Sequence, residues 1–123
     1  VLRSAEEMFG ADAVAPGALA QADMGGLESE AELVVVRRLA QWPRTVEAAA
    51  LAREPHRIAF FLYDLAGDFH MLWNRGKDDA ALRFLQPERR AETMARLALV
   101  AATAAAIRSD LEIMGVTPVE EMR

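Results

Sequence analysis

LAREPHRIAFFLYDLAGDFHMLWN, residues 51–74, is the stretch on which the fold turns. Pro55 opens it as a helix start, because a proline in the first turn loses nothing by lacking an N–H. No further proline interrupts the stretch. Ile58, Phe61, Leu62, Leu65, Phe69 and Leu72 recur at three- and four-residue steps, which predicts a long helix with one core-facing stripe. Asp64 and Asp68 fall on a solvated side. His56, Phe60, Tyr63, His70 and Asn74 form a mixed aromatic and polar flank. Trp73 ends the helix beside a short charged loop containing Gly76. Such an end has two readings: a cap over the core, or an aromatic plate presented to a ligand.

Working outward, residues 28–42 read as a helix opened by Ser29 and Glu32, an S-x-x-E capping box. Leu33, Val36, Leu39 and Ala40 are its expected core face. Pro43 ends it and opens the next helix, residues 44–53, with Val46, Ala49, Ala50 and Leu51 or Ala52 packing. Residues 1–9 read as the end of a helix stopped by Gly10. No start signal precedes Val1, so the chain is expected to be a domain excised from something longer. Residues 11–26, ADAVAPGALAQADMGG, read as a loop insertion with at most one short helical turn. This loop is either a mobile lid or a tolerated surface insertion. Residues 75–85 read as a second loop, with Leu82, Phe84 and Leu85 tucked under the core. Pro87 is expected to start a closing helix that runs to about Met114. Its stripe would be Met94, Leu97, Val100 or Ala101, Ala104, Ile107, Leu111 and Met114, with Gly115 as the C-cap. The tail 116–123 contains Pro118, which forbids continuing that helix. The expected fold class is all-α: one bundle of about five helices, with no strand and no repeat.

The totals agree with one domain. The chain has 123 residues, 53% hydrophobic, with alanine prominent. No cysteine is present, which excludes disulfides and cysteine-ligated zinc. No apolar run reaches membrane-spanning length, and a soluble, cytoplasmic protein is expected. The net charge of −5 argues against attachment to nucleic acid by bulk electrostatics. Lys77 is the only lysine, so the cations are almost all arginine, a side chain suited to planar and stacked contacts. A high-GC genome would produce the same bias.

Little in the chain suggests catalysis. His56 and His70 are fourteen residues apart on one helix, about 21 Å along its axis, and cannot share an ion. No nucleophile elbow, phosphate loop or dinucleotide fingerprint occurs. Asp64 and Asp68 at i, i+4 are an ordinary solvated pair. Recognition remains. Trp73 and Asn74 beside Arg75 and Lys77 have the character of a base-stacking surface. Trp73 also keeps helical register with Leu62, Ala66 and Phe69, and on residues alone the core has the better claim to it.

Three segments carry a family resemblance: LVVVRRLAQWP at 33–43, AREPHRIAFFLYDLAGDFHMLWN at 52–74, and RLALVAATAAAIRSDLEIMGVTPVEEM at 96–122. Together they resemble the C-terminal anticodon-binding domain (DALR-type) of arginyl-tRNA synthetase. The joint presence of R-E-P-H and a terminal G-V-x-P-x-E-E-M is specific, whereas single pieces are not. The resemblance implies a helical bundle that follows a class I catalytic domain and holds the anticodon stem-loop of arginine tRNA. It implies RNA-binding roles for Trp73, as the aromatic that stacks on the anticodon loop, and for Met122, beside an anticodon base. It places His70, Asn74 and Arg96 near that surface, and it reverses the core reading of Trp73. It implies ATP with magnesium for the parent enzyme and no cofactor for these residues. The expected partners are arginine tRNA and the chain's own catalytic domain, not DNA or a membrane.

There are departures. The family's Y-A-H-x-R segment, which supplies part of the anticodon pocket, would precede Val1. The H-I-G-H and K-M-S-K-S catalytic motifs are missing, so this stretch alone is non-catalytic. Arg123 extends beyond the usual terminal Met. Two other readings stand beside this one: a helical protein–protein interaction or regulatory domain with an acidic surface, and the same helical domain from a cysteinyl or glycyl enzyme. The acidic net charge favours the former. The terminal Met and R-E-P-H argue against the latter. Positive charge gathered locally around Trp73, at Arg75, Lys77, Arg89, Arg90 and Arg96, is compatible with an acidic whole.

Overall fold

A computed structural model of the chain describes residues 1–115. The elements, in order, are α1 (Leu2–Phe9), a 3-10 turn (Asp12–Val14), α2 (Pro16–Ala20), a second 3-10 turn (Met24–Gly26), α3 (Glu30–Ala40), α4 (Trp42–Ala52), α5 (His56–Asp78), a third 3-10 turn (Ala80–Leu82) and α6 (Arg90–Ile113). No strand occurs among the described residues. The all-α bundle and its five expected helices are present. The stretch 11–26 is not a bare loop, since it winds into α2 and two 3-10 turns. Leu19 is the reason: it is 4% exposed, packed with Ala5 and Leu97.

α5 is the axis. Ile58, Phe61, Leu65 and Leu72 are buried, and Leu62 and Phe69 half-buried, as the spacing predicts. Leu65 and Leu72 are fully enclosed. Truncating either to Ala would cost about 2–5 kcal/mol through lost transfer energy and the cavity left behind. The flank of His56, Phe60, Tyr63, His70 and Asn74 is exposed. Asp64 is exposed, but Asp68 is not simply solvated: it accepts from Nε of Arg38 on α3 at 2.7 Å.

α3 starts on the expected capping box. The Ser29 hydroxyl accepts from the Glu32 N–H at 3.2 Å, and Glu32 Oε2 accepts from the Ser29 N–H at 3.4 Å. Its core face differs from expectation. Ala31, Glu32 and Val35 are buried, Leu33, Val36 and Leu39 are half-buried, and Ala40 is exposed. Gln41 alone separates α3 from α4, so Trp42 starts the second helix instead of ending the first. The Trp42 ring lies 4.9 Å from that of Phe61. In α4 only Ala49 is fully buried; Ala50, Leu51 and Ala52 are exposed.

The R-E-P-H run proves to be a helix–helix corner. Arg53 ends α4 at φ 54°, ψ 43°, and its N–H and that of Glu54 close onto Ala50 O and Ala49 O. Pro55 then caps α5. The Glu54 carboxylate holds Arg57 and reaches His56 at 3.6 Å. The Arg57 guanidinium holds the Glu54 carboxyl below the usual range, first by hydrogen bonding and then by its charge.

α5 continues four residues beyond Asn74, through Gly76 to Asp78, so the loop expected from residue 75 starts later. α6 begins at Arg90, and Pro87 belongs to the turn before it. Thr93 anchors that turn: its hydroxyl accepts from the Gln86 N–H at 3.0 Å and donates to Gln86 O at 2.9 Å. At the far end Gly115 takes φ 76°, the left-handed conformation of the expected C-cap.

α6 does not bury a single stripe. Ala95, Leu99, Val100 and Ala106 join a cluster with Val35, Phe61, Leu65, Leu72 and Phe84. Leu97 joins a second cluster with Ala5 and Leu19. Of the expected stripe, Leu97 and Val100 are buried, Met94, Ala101, Ile107 and Leu111 half-buried, and Ala104 and Met114 exposed. One buried seam runs through Arg96, Leu99, Thr103, Ala106 and Asp110, at alternating three- and four-residue steps.

Candidate nucleic-acid interface

Trp73 lies on the flank of α5, between the buried stripe and the exposed ridge, and 39% of it is exposed. Its inner face leans on Phe84, with ring centroids 5.5 Å apart. Phe84 is itself sandwiched, with Phe69 nearly parallel to it at 5.7 Å. Phe84 belongs to the α5–α6 linker, and the linker comes this close because position 76 is glycine. A Cβ there would stand 3.1 Å from Leu82 O. Trp73 is thus packed against Phe84 and still 39% exposed.

Trp73 also lines a cleft of about 500 Å³, together with Val1 and Ser4 of α1, Leu72, Gly76 and Lys77 of α5, and Leu82, Arg83, Phe84 and Leu85 of the linker. Apolar walls and an aromatic face suit a flat, partly apolar ligand. Lys77 supplies positive charge at the rim. His70, Trp73, Asn74 and Lys77 follow one another at helical steps on one side of α5, and His70, Asn74 and Lys77 are exposed. These four residues are thus brought together. Lys77 entered the sequence reading only as local charge; its seven-residue spacing from His70 was the available signal.

Arg96 is placed differently. It is 5% exposed, and its Nε donates to Glu32 Oε1 at 2.7 Å while Nη1 donates to Arg83 O at 3.1 Å. Its guanidinium is committed inside the bundle to Glu32 and the Arg83 carbonyl, whereas the resemblance places it near the RNA-facing surface. The buried Glu32 is satisfied in turn by Arg96 and the Ser29 N–H. Met122 lies outside the described residues, as does Arg123. Arg75, Arg89 and Arg90 are exposed. Arg90 sits over the Phe9 ring at 5.7 Å.

Asp110 is a feature the sequence reading did not pick out. It is wholly buried on α6, and neither carboxylate oxygen finds a hydrogen-bond partner among the described residues. Burial pushes its carboxyl up to about 6. Among the described residues no three His, Asp or Glu side chains are grouped as a metal site would need, and no helix is long and apolar enough to cross a membrane.

The chain is similar to known proteins over its whole length. The arginine–tRNA ligase of Gluconobacter oxydans (strain 621H) is 63% identical over 123 residues, which is all of this chain and 20% of that protein. The arginine–tRNA ligase of Ruegeria pomeroyi is 58% identical over 106 residues, 86% of this chain and 18% of that protein. That of Rhodospirillum rubrum is 54% identical over 124 residues, all of this chain and 21% of that protein. The chain thus spans about a fifth of the length of these relatives. No solved structure matches it. The family model described as the DALR anticodon binding domain matches residues 1–122, so the chain belongs to that family.

Proposed function

We propose that the chain is the anticodon-binding part of an arginine–tRNA ligase, holding the anticodon loop of arginine tRNA while a separate catalytic region, using ATP and magnesium, charges the 3′ end. The observation that carries this reading is Trp73, 39% exposed on the wall of a cleft with room for an unstacked base, with His70, Asn74 and Lys77 on the same side of α5. In this reading Trp73 stacks on an unpaired base, Asn74 and His70 offer hydrogen bonds to base edges or the backbone, and Lys77 faces a phosphate. Met122 joins them on the strength of the family resemblance alone. The parent enzyme works in the cytoplasm, with arginine tRNA and its own catalytic region as partners.

The test is a fluorescence titration of the protein, in a Trp42→Phe background that leaves Trp73 as the reporter. The ligands are an arginine-tRNA anticodon stem-loop and one with a scrambled loop. Preferential quenching by the first supports the reading, and equal affinity for both would sink it.

A helical interaction domain remains the second reading, and one observation favours it. Leu51 is 80%, Phe60 64% and Tyr63 80% exposed, near the α4–α5 corner. Apolar exposure of that kind suits a protein surface. It lies at the opposite end of α5 from Trp73, so the two readings use different surfaces.

A further inference from the structure

We propose that Arg96 is a positioning residue for the cleft, setting the linker that holds Phe84 behind Trp73, and that it does not itself touch RNA. Three elements meet at its guanidinium. Nε binds Glu32 of α3 at 2.7 Å, Nη1 binds the Arg83 carbonyl of the α5–α6 linker at 3.1 Å, and the stem belongs to α6. Arg83 is the residue before Phe84, and its own Nε reaches back to Gly76 O on α5 at 3.4 Å. The linker segment that carries the Trp73 support is therefore fixed from both sides. Arginine suits this place, because a planar fork can donate in two directions at once, whereas an ammonium is a point charge on a flexible stem. Glu32 shares the task. Its second oxygen closes the α3 cap, so the start of α3 and the wall of the cleft are tied through one buried carboxylate.

The RNA arm of the test rests on the proposed function; the free-protein arm does not. Two variants of the 123-residue protein are made in the Trp42→Phe background, which leaves Trp73 as its one tryptophan. Arg96→Lys keeps the charge opposite Glu32 but loses the two-sided fork. The double variant Glu32→Gln with Arg96→Gln removes both charges together, so that no unpaired ion is left buried. Circular dichroism confirms that each is helical. In the free protein, acrylamide should quench Trp73 more readily in both variants than in the unaltered protein. Binding of arginine tRNA should weaken about tenfold, the scale of a disturbed base stack. The slope of log affinity against log salt should stay unchanged in both. Unchanged Trp73 quenching in both variants overturns the positioning role. A salt slope reduced by about one in the double variant also overturns it, because that marks a lost phosphate contact. If the unaltered protein does not prefer arginine tRNA, the functional reading falls, and the quenching arm still decides the role of Arg96.

Discussion

Trp73 leans on Phe84 with ring planes inclined at 37°, and the indole so supported still leaves 39% of the residue exposed. Rigid support behind an exposed aromatic lowers the entropy lost when a base stacks on it. Trp73→Ala should therefore weaken binding of the arginine-tRNA stem-loop by about 1–3 kcal/mol, while Trp73→Phe keeps most of it. Titration monitored by anisotropy of a labelled RNA checks this without relying on the indole. Wild-type affinity in the Ala variant would remove Trp73 from the interface.

Asp110 gives the molecule a pH dependence of defined sign. Its folded-state carboxyl is raised to about 6 from an ordinary value of 3.8, so the folded state holds the proton more tightly than the unfolded chain. Its contribution is most favourable below about pH 4 and is lost as pH rises through 6. At 1.36 kcal/mol per unit the loss amounts to about 3 kcal/mol at most. Asp110→Asn should raise stability at pH 8 and flatten the change between pH 5 and pH 8. Urea unfolding at both values reads the effect; an identical pH profile in the two proteins would count against it.

Two backbone positions should respond to opposite substitutions. Gly67 lies inside α5 with nothing within 4 Å of a would-be Cβ, so Gly67→Ala should stabilise by about 0.5–1 kcal/mol. Arg53 occupies the left-handed region, where a side chain is strained, so Arg53→Gly should be stabilising or neutral in spite of the usual cost of glycine. Thermal unfolding of the two single variants and their combination measures both, and the effects should add, since neither residue shares a partner with the other.

Gly76→Ala should separate stability from binding. Alanine favours the helix by about 1 kcal/mol. The added methyl, however, meets Leu82 O at 3.1 Å and pushes the linker outward by a few tenths of an ångström. The melting temperature should barely move, while affinity for the stem-loop falls because Phe84 shifts behind Trp73. A variant that melts like the wild type and also binds RNA like it would show that the cleft tolerates the displacement.

The capping box can be tested by Ser29→Ala, which removes the hydroxyl that accepts from the Glu32 N–H. The expected cost is about 1 kcal/mol. Chemical denaturation reads it directly.

Much of this was legible in the residues. The stripe of α5, the cap of α3 and the stops at Gly10 and Gly115 all follow from spacing and local chemistry. The core face of α3 was not, because LVVV offers an apolar residue in every register, and only packing chooses Ala31 and Val35. The seam of α6 was hidden for the opposite reason: Arg96, Thr103 and Asp110 occupy three of its five positions, and an apolar pattern cannot announce polar residues. Gly76 read as a loop because glycine weakens helices. Its neighbour in space, Leu82 O, is what makes glycine necessary there, and no local rule supplies that neighbour. Of the candidate site, Trp73 and Asn74 stand out in the sequence by their place at the helix end and His70 by resemblance, whereas the inward turn of Arg96 needed the fold.

α6 lies between two clusters and contributes to both, and it is the last helix among the described residues. During synthesis, then, residues 1–89 leave the ribosome before either cluster can be completed. The helices α3, α4 and α5 can pair with one another first, whereas the surfaces that α1, α2, α3 and α5 turn toward α6 stay open until it emerges. Helices able to form locally would appear early, but their consolidation is deferred until this segment is free of the exit tunnel. A ribosome stalled within residues 90–113 would hold a chain that is helical, sticky and unfinished.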